Sequence, residues 1–254
     1  MKKQIFALIF AVLPAFAMAQ AALEYPNDPV VVDLKDKAAL QDGAKTFANY
    51  CMGCHSTKYQ RFERVADDLG IPHEVMLDNV VFSGANIGDH MKIGMNPNDA
   101  KAWFGAPPPD LTLVARVRGN DWLYTYLRTF YDDPTRPLGA NNKVFPNVGM
   151  PNVLVALQGK QVQVVEDGKK QFDPLTGTPI THEACDQLTV EPKTGTLNEE
   201  QFDEKIKNLV TFLAYSANPV KLESQRIGTY VLLYLAFFFV FAYLLKREYW
   251  KDVH

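Results

Sequence analysis

The stretch from Ile227 to Leu245 runs for nineteen residues without a charged side chain. As a helix it would extend about 28 Å at ~1.5 Å per residue, close to the ~30 Å hydrocarbon thickness of a bilayer. Phe237 to Phe241 leaves no polar face, so a helix packed on one side of a soluble core does not fit. Lys246, Arg247 and Lys251 follow at once, with Tyr243, Tyr249 and Trp250 as interfacial aromatics. The positive-inside tendency puts that end in the cytoplasm. The bulk of the chain is therefore expected to fold on the opposite side, tethered by its tail.

The N-terminus agrees. Lys2 and Lys3 precede an apolar run from Ile5 to Phe16, and the small residues of AFAMAQAA offer cleavage after Ala19 or Ala21. Those are the three parts of a secretory signal, and the apolar run is short for a span. The expected organisation is a signal peptide at 1–21, an exported domain at 22–222, and an anchor with a short tail at 223–254. Residues 20–226 carry 21 Lys and Arg against 27 Asp and Glu, a net of −6 where the whole chain has −3. A domain of that sign suits a basic partner, and no nucleic-acid partner is expected.

Within the exported part, residues 50–55 read YCMGCH, placing Cys51, Cys54 and His55 within five positions. A zinc site needs four ligands, and the only other cysteine, Cys185, has just His182 three residues before it. A thioredoxin-like dithiol would follow a strand, whereas an apparent helix precedes this motif. Cys-x-x-Cys-His is the sequence for covalent haem, in which two thiols on one side of a turn form thioethers and the adjoining imidazole reaches the iron. The second imidazole nitrogen is expected to donate to a carbonyl or a water.

The flanks suit that reading. In QDGAKTFANYC, Asp42 is expected to cap a helix on which Ala44, Phe47, Ala48 and Cys51 share one face. Downstream, Phe202, Ile206, Leu209, Val210 and Leu213 mark a second amphipathic helix, capped near Asn198 and stopped by Pro219. The two resemble the terminal helices of a c-type cytochrome fold, and that resemblance implies a crossing at Gly43 with Phe47 against Phe212 or Tyr215, although periodicity alone fits any amphipathic pair. Trp122, Tyr124 and Tyr126 read as core packing.

An iron held by His55 has a sixth position, and a thioether there makes an electron carrier of raised potential. The methionines outside the signal are Met52, Met76, Met91, Met95 and Met150, with His73, His90 and His182 as rival imidazoles. Met52 lies inside the binding turn and cannot reach around the ring. Met150, in KVFPNVGMPN, has Pro146 and Pro151 to stiffen its loop and Gly149 to permit close approach. Met91 and Met95, in HMKIGMNP, have a similar setting, and the residues alone leave all three open.

Four segments together resemble the cytochrome c1 family, the haem subunits of quinol:cytochrome c reductase (bc1) complexes. They are CHSxxY from Cys54 to Tyr59, GAPPPDLTLVARVRG from Gly105 to Gly119, the FPNVGMP loop, and the closing order of helix, ANP, anchor and KREYW. The resemblance implies a mainly α fold: a cytochrome c-like haem domain with long loop insertions and one C-terminal transmembrane helix. It implies one covalent haem c with His55 and Met150 as axial ligands, lined by the PPDL segment with Pro108 and Pro109. An arginine paired with a haem propionate is also implied, Arg118 by alignment and Arg116 second, since a guanidinium stays charged and binds in a fork.

The function implied is one-electron transfer from the Rieske iron-sulfur protein to a soluble or membrane-bound c-type cytochrome. The chain would be a subunit of an oxidoreductase, beside cytochrome b and the Rieske subunit in a dimeric complex. It would sit in the bacterial inner membrane as a single-pass protein with its haem domain in the periplasm. The alternative is a tethered c-type cytochrome serving a terminal oxidase or another reductase. No nucleophile with an adjacent base and no paired-carboxylate motif stands out, so no catalytic residue is expected in this chain. Glu63, Asp67 and Asp68 would steer a basic cytochrome.

The chain also departs from the family. Glu63 stands where many relatives have an arginine, eight residues after the haem histidine, and nothing is carried over there. Cys185 has no cysteine partner once Cys51 and Cys54 hold haem. Residues 156–196, with VEDGKKQFDPLTGTP, read as a long excursion containing a hairpin.

Overall fold

The computed structural model describes residues 25–164, 171–172, 179–180 and 187–251. The expected signal peptide, His182 and Cys185 lie outside the described residues. In chain order the elements are α1 (Lys37–Tyr50), β1 (Thr57–Arg61), α2 (Phe62–Leu69), α3 (His73–Asn79), β2 (His90–Met91), α4 (Pro97–Phe104), α5 (Val114–Arg118) and α6 (Asn120–Arg128). They continue with β3 (Phe130–Asp132), β4 (Ala140–Asn142), α7 (Val155–Gln158), β5 (Gln161–Val164), β6 (Gln171–Phe172), β7 (Pro179–Ile180), β8 (Gln187–Val190), α8 (Glu199–Ala217) and α9 (Lys221–Tyr249). The chain divides into two compact units, one of Asp121–Asp203 with the chain up to Val30, the other of Val31–Asn120 and Glu204–His254.

In the second unit α1 packs against α8. A Cβ added to Gly43 would stand 2.1 Å from the Asn208 carbonyl oxygen and 2.8 Å from the Phe212 Cβ, so only glycine lets the helices approach this closely. The Phe47 and Phe212 rings meet beside it at 5.5 Å. Ile206, Leu209, Val210 and Leu213 are at most 3% exposed, as their spacing predicts.

Asp42 is not the cap. The side chain of Asp36 accepts from the Ala39 N–H and starts α1 one and a half turns earlier. Asp42 sits mid-helix and accepts from Lys205 Nζ and from Asn208 Nδ2, so its carboxylate ties α1 to α8. Sequence spacing could not show this, because the partners lie more than 160 residues away.

Asp68 on α2 accepts from the Tyr215 hydroxyl at 2.7 Å and pairs with Arg64 at 2.6 Å. Burial, reinforced by that carboxylate, pushes the Tyr215 phenol well above its ordinary value. The side-chain amide of Gln60 on β1 donates to the Ser216 carbonyl at 2.8 Å.

The first unit centres on Arg128. Its guanidinium forks onto Asp203 at 2.6 and 2.8 Å, donates to Asp28 at 2.6 Å, and lies 4.6 Å over the Tyr124 ring. β3 and β4 form an antiparallel pair, with Tyr131 opposite Asn141. β5 pairs antiparallel with β8, and β6 with β7, so the 156–196 excursion holds two nested ladders. Asn198 and Gln201 cap each other reciprocally at the start of α8.

Among the described residues, α9 is the one helix long and apolar enough to cross a membrane, with no part of its apolar window buried. It begins at Lys221, six residues before the uncharged run.

Candidate haem site

The three residues of the motif occupy a single turn at the end of α1. Cys51 closes the helix: its N–H donates to the Phe47 carbonyl, and its own carbonyl accepts from Cys54 N at 3.1 Å and His55 N at 2.9 Å. Both thiols are free, Cys51 buried and Cys54 partly exposed. Burial, with the neighbouring Cys54 adding to it, pushes the Cys51 thiol up to about 12. The zinc alternative called on His182 and Cys185, outside the described residues; among the described ones, no group of three or more His, Cys, Asp and Glu is placed to hold a metal ion.

His55 settles its own tautomer. Nδ1 lies 2.8 Å from the Pro109 carbonyl oxygen, and a carbonyl only accepts, so Nδ1 carries the proton and Nε2 keeps its lone pair. Burial lowers the imidazole pKa, opposed by the Pro109 contact and by Asp110, which favours the neutral ring a metal needs. A buried thiol, a second thiol in the same turn and an imidazole with a free Nε2 fit a covalently attached haem.

The Pro109 carbonyl is placed by a seam between two of the motifs. Leu111 N donates to the Ser56 carbonyl at 2.8 Å, Lys58 N to Asp110 Oδ2 at 2.8 Å, and Thr112 N to Asp110 Oδ1 at 3.0 Å. Ser56 Oγ also accepts from Ile93 N. The roles of Ser56 and Asp110 were not readable from spacing, because they are contacts between segments some 50 residues apart. Pro108 lines a cleft of about 310 Å³ together with Ser56, Lys58, Met95 and Asp110. Arg116 and Arg118 are exposed in the last turn of α5.

Of the rival thioethers, Met76 and Met91 are at most 1% exposed in their unit's core, and Met95 lines the Pro108 cleft. Met150 belongs to the other unit and is half-buried. Its loop is held by side chains as well as by its prolines. Asn141 Oδ1 accepts from Asn142 N and Asn147 N, while Asn142 Oδ1 accepts from Val144 N and Phe145 N. Arg136 holds the Asn147 side chain at 3.0 Å and its carbonyl at 3.1 Å, fixing a residue whose φ is +62°.

Tyr126 does pack as its position suggests, stacked on Trp122 at 4.8 Å and edge-on to Phe130 at 5.0 Å. Its hydroxyl also donates to the Met150 sulfur at 3.4 Å, which a pattern of aromatics four residues apart could not announce.

Comparison with known proteins finds relatives along the whole chain. Cytochrome c1 of Allochromatium vinosum is 45% identical over 100% of both chains. A Nitrosomonas europaea protein named ammonia monooxygenase gamma subunit is 38% identical over 98% of each. A chain of a solved hyperthermophilic respiratory Complex III, 18% identical and covering 99% of this chain and 96% of that one, has a TM-score of 0.44 and carries no weight here. The family model described as the Cytochrome C1 family matches residues 30–253, so the chain that sets His55 on the Pro109 carbonyl belongs to the cytochrome c1 family.

Proposed function

We propose that this chain is the electron-transfer subunit of a quinol:cytochrome c reductase (bc1) complex, taking one electron from the Rieske iron-sulfur protein and delivering it to a soluble or membrane-bound c-type cytochrome. Bound haem c supplies a one-electron ferric/ferrous couple. Cys51 and Cys54 would hold the porphyrin through thioethers, and His55 would present Nε2 to the iron. Met150 would offer its sulfur as the other iron ligand. Pro108 and Pro109 would lie against the ring, and Arg118, with Arg116 as second choice, would pair with a propionate.

The observation that carries this reading is the His55 Nδ1 contact with Pro109, because it sets the tautomer that leaves Nε2 open to a metal. The rest of the reading is supported by the sequence patterns at the two ends and by the resemblance to the family. Residues 1–21 act as an export signal, 22–222 form the periplasmic haem domain, and 223–254 anchor it in the inner membrane with a cytoplasmic C-terminus. Cytochrome b and the Rieske subunit are the partners, in a dimeric complex.

The test is a pyridine haemochrome spectrum of the full chain, matured in cells able to attach haem and extracted in mild detergent. One haem per chain that survives acid acetone, with cytochrome b and the Rieske protein co-purifying, is expected. A colourless chain would overturn the cofactor. A coloured chain free of those partners would favour the tethered cytochrome of another oxidase or reductase.

A further inference from the structure

The Tyr126 hydroxyl donates to the Met150 sulfur at 3.4 Å, and we propose that this hydrogen bond tunes the redox potential of the site through its methionine ligand. The inference rests on the reading of Met150 as the axial thioether. Tyr126 is a positioning residue, acting through Met150.

Three features separate this contact from incidental packing. First, the phenol ring is clamped, stacked on Trp122 at an interplanar angle of 10° and edge-on to Phe130 at 70°, so its oxygen is held in place. Second, Asn142 ties the two partners together: its Nδ2 donates to the Tyr126 carbonyl at 2.7 Å, while its Oδ1 holds the Val144 and Phe145 N–H groups of the loop that leads to Met150. Third, Met150 itself packs on the Phe130, Ala140 and Val148 cluster together with Tyr126, so donor and acceptor share one apolar wall. A hydrogen bond in such surroundings is stronger than one in water.

The electronic consequence has a definite sign. A thioether sulfur has two lone pairs, one for the metal and one for the phenol proton. Donation from the hydroxyl draws density from the sulfur and makes it a poorer donor to iron. The ferric state needs that donation more than the ferrous state. The hydrogen bond therefore favours the reduced form and raises the potential.

Tyr126→Phe removes the hydroxyl and keeps the ring on Trp122 and Phe130. In the full chain, solubilised with its haem, the expected result is a retained but shifted thioether-to-iron charge-transfer band. A midpoint lower by about threefold in the redox equilibrium is expected with it, or about 28 mV at ~59 mV per tenfold for one electron. The wild-type band should also move slightly in heavy water, and the variant's should not, because the bridging proton exchanges.

An unchanged band and midpoint in the variant overturn the tuning role while leaving Met150 as ligand. Loss of the band in the variant alone also overturns it, making Tyr126 a support for the ligand's position. Absence of the band in the wild type removes the ligation reading, and this inference with it.

Discussion

A side chain at Gly43 would collide with the backbone of Asn208, whose carbonyl oxygen stands 2.1 Å from where the Cβ would be. The atom in the way belongs to a helix backbone, so it cannot swing aside as a flexible side chain would. Gly43→Ala is expected to push α1 off α8 and cost about 3 kcal/mol, at the upper end for overpacking. Denaturant unfolding of the solubilised chain, followed by helical circular dichroism, measures it. A loss under about 0.5 kcal/mol would mean the crossing yields easily.

Met150→Leu keeps the volume of the side chain and removes the sulfur. Because haem axial ligands set potentials over a range of about 0.8 V, the midpoint is expected to fall by on the order of 0.1 V, with loss of the thioether charge-transfer band. An unaltered spectrum would transfer the ligand role to Met91 or Met95.

The buried Tyr215 phenol gives a pH dependence. Its folded pKa is raised above the ordinary 10.0 by burial and by Asp68, so above pH 10 the unfolded chain loses a proton that the folded chain keeps. Its contribution to stability is complete below that pH and declines as pH rises further, by about 1.4 kcal/mol per unit for one group. Tyr215→Phe is expected to cost about 1 kcal/mol at neutral pH and to unfold less steeply with alkali. Urea midpoints at pH 8 and pH 11 compare the two chains, and equal slopes would contradict it.

If the acidic cluster steers a basic partner, that role falls chiefly to Glu63. Asp68 is engaged by Arg64 and Tyr215, and Asp67 by His73 at 2.8 Å, whereas Glu63 is exposed on α2. Association with a basic c-type cytochrome is expected to slow as salt rises. Glu63→Gln should slow it at low salt by severalfold, more than Asp68→Asn does. Stopped-flow rates across ionic strength decide this, and a salt-independent rate would remove the steering role.

What the sequence disclosed follows from the range of each signal. The Cys51, Cys54 and His55 turn was legible because its chemistry lies within five consecutive residues. The crossing at Gly43 was legible through the likeness of the two amphipathic helices to the terminal pair of a c-type cytochrome, and Phe212 proved to be the partner of Phe47. Asp42 misled because an acid near a helix start resembles a cap, and only the placement of Lys205 and Asn208 shows that its carboxylate bridges helices. The Met150 loop was expected to owe its stiffness to Pro146 and Pro151. Asn141, Asn142 and Arg136 hold it as well, through side-chain bonds that carry no spacing signature.

Three successive prolines, Pro107 to Pro109, precede the acceptor of the His55 proton. Their locked φ angles leave that oxygen little freedom to wander, and the imidazole inherits its orientation. On the proposed ligation, a ring aimed by so inflexible a stretch would need no swivel when the charge it faces changes by one unit. Small internal rearrangement of that kind would let an electron arrive and depart without waiting for the polypeptide.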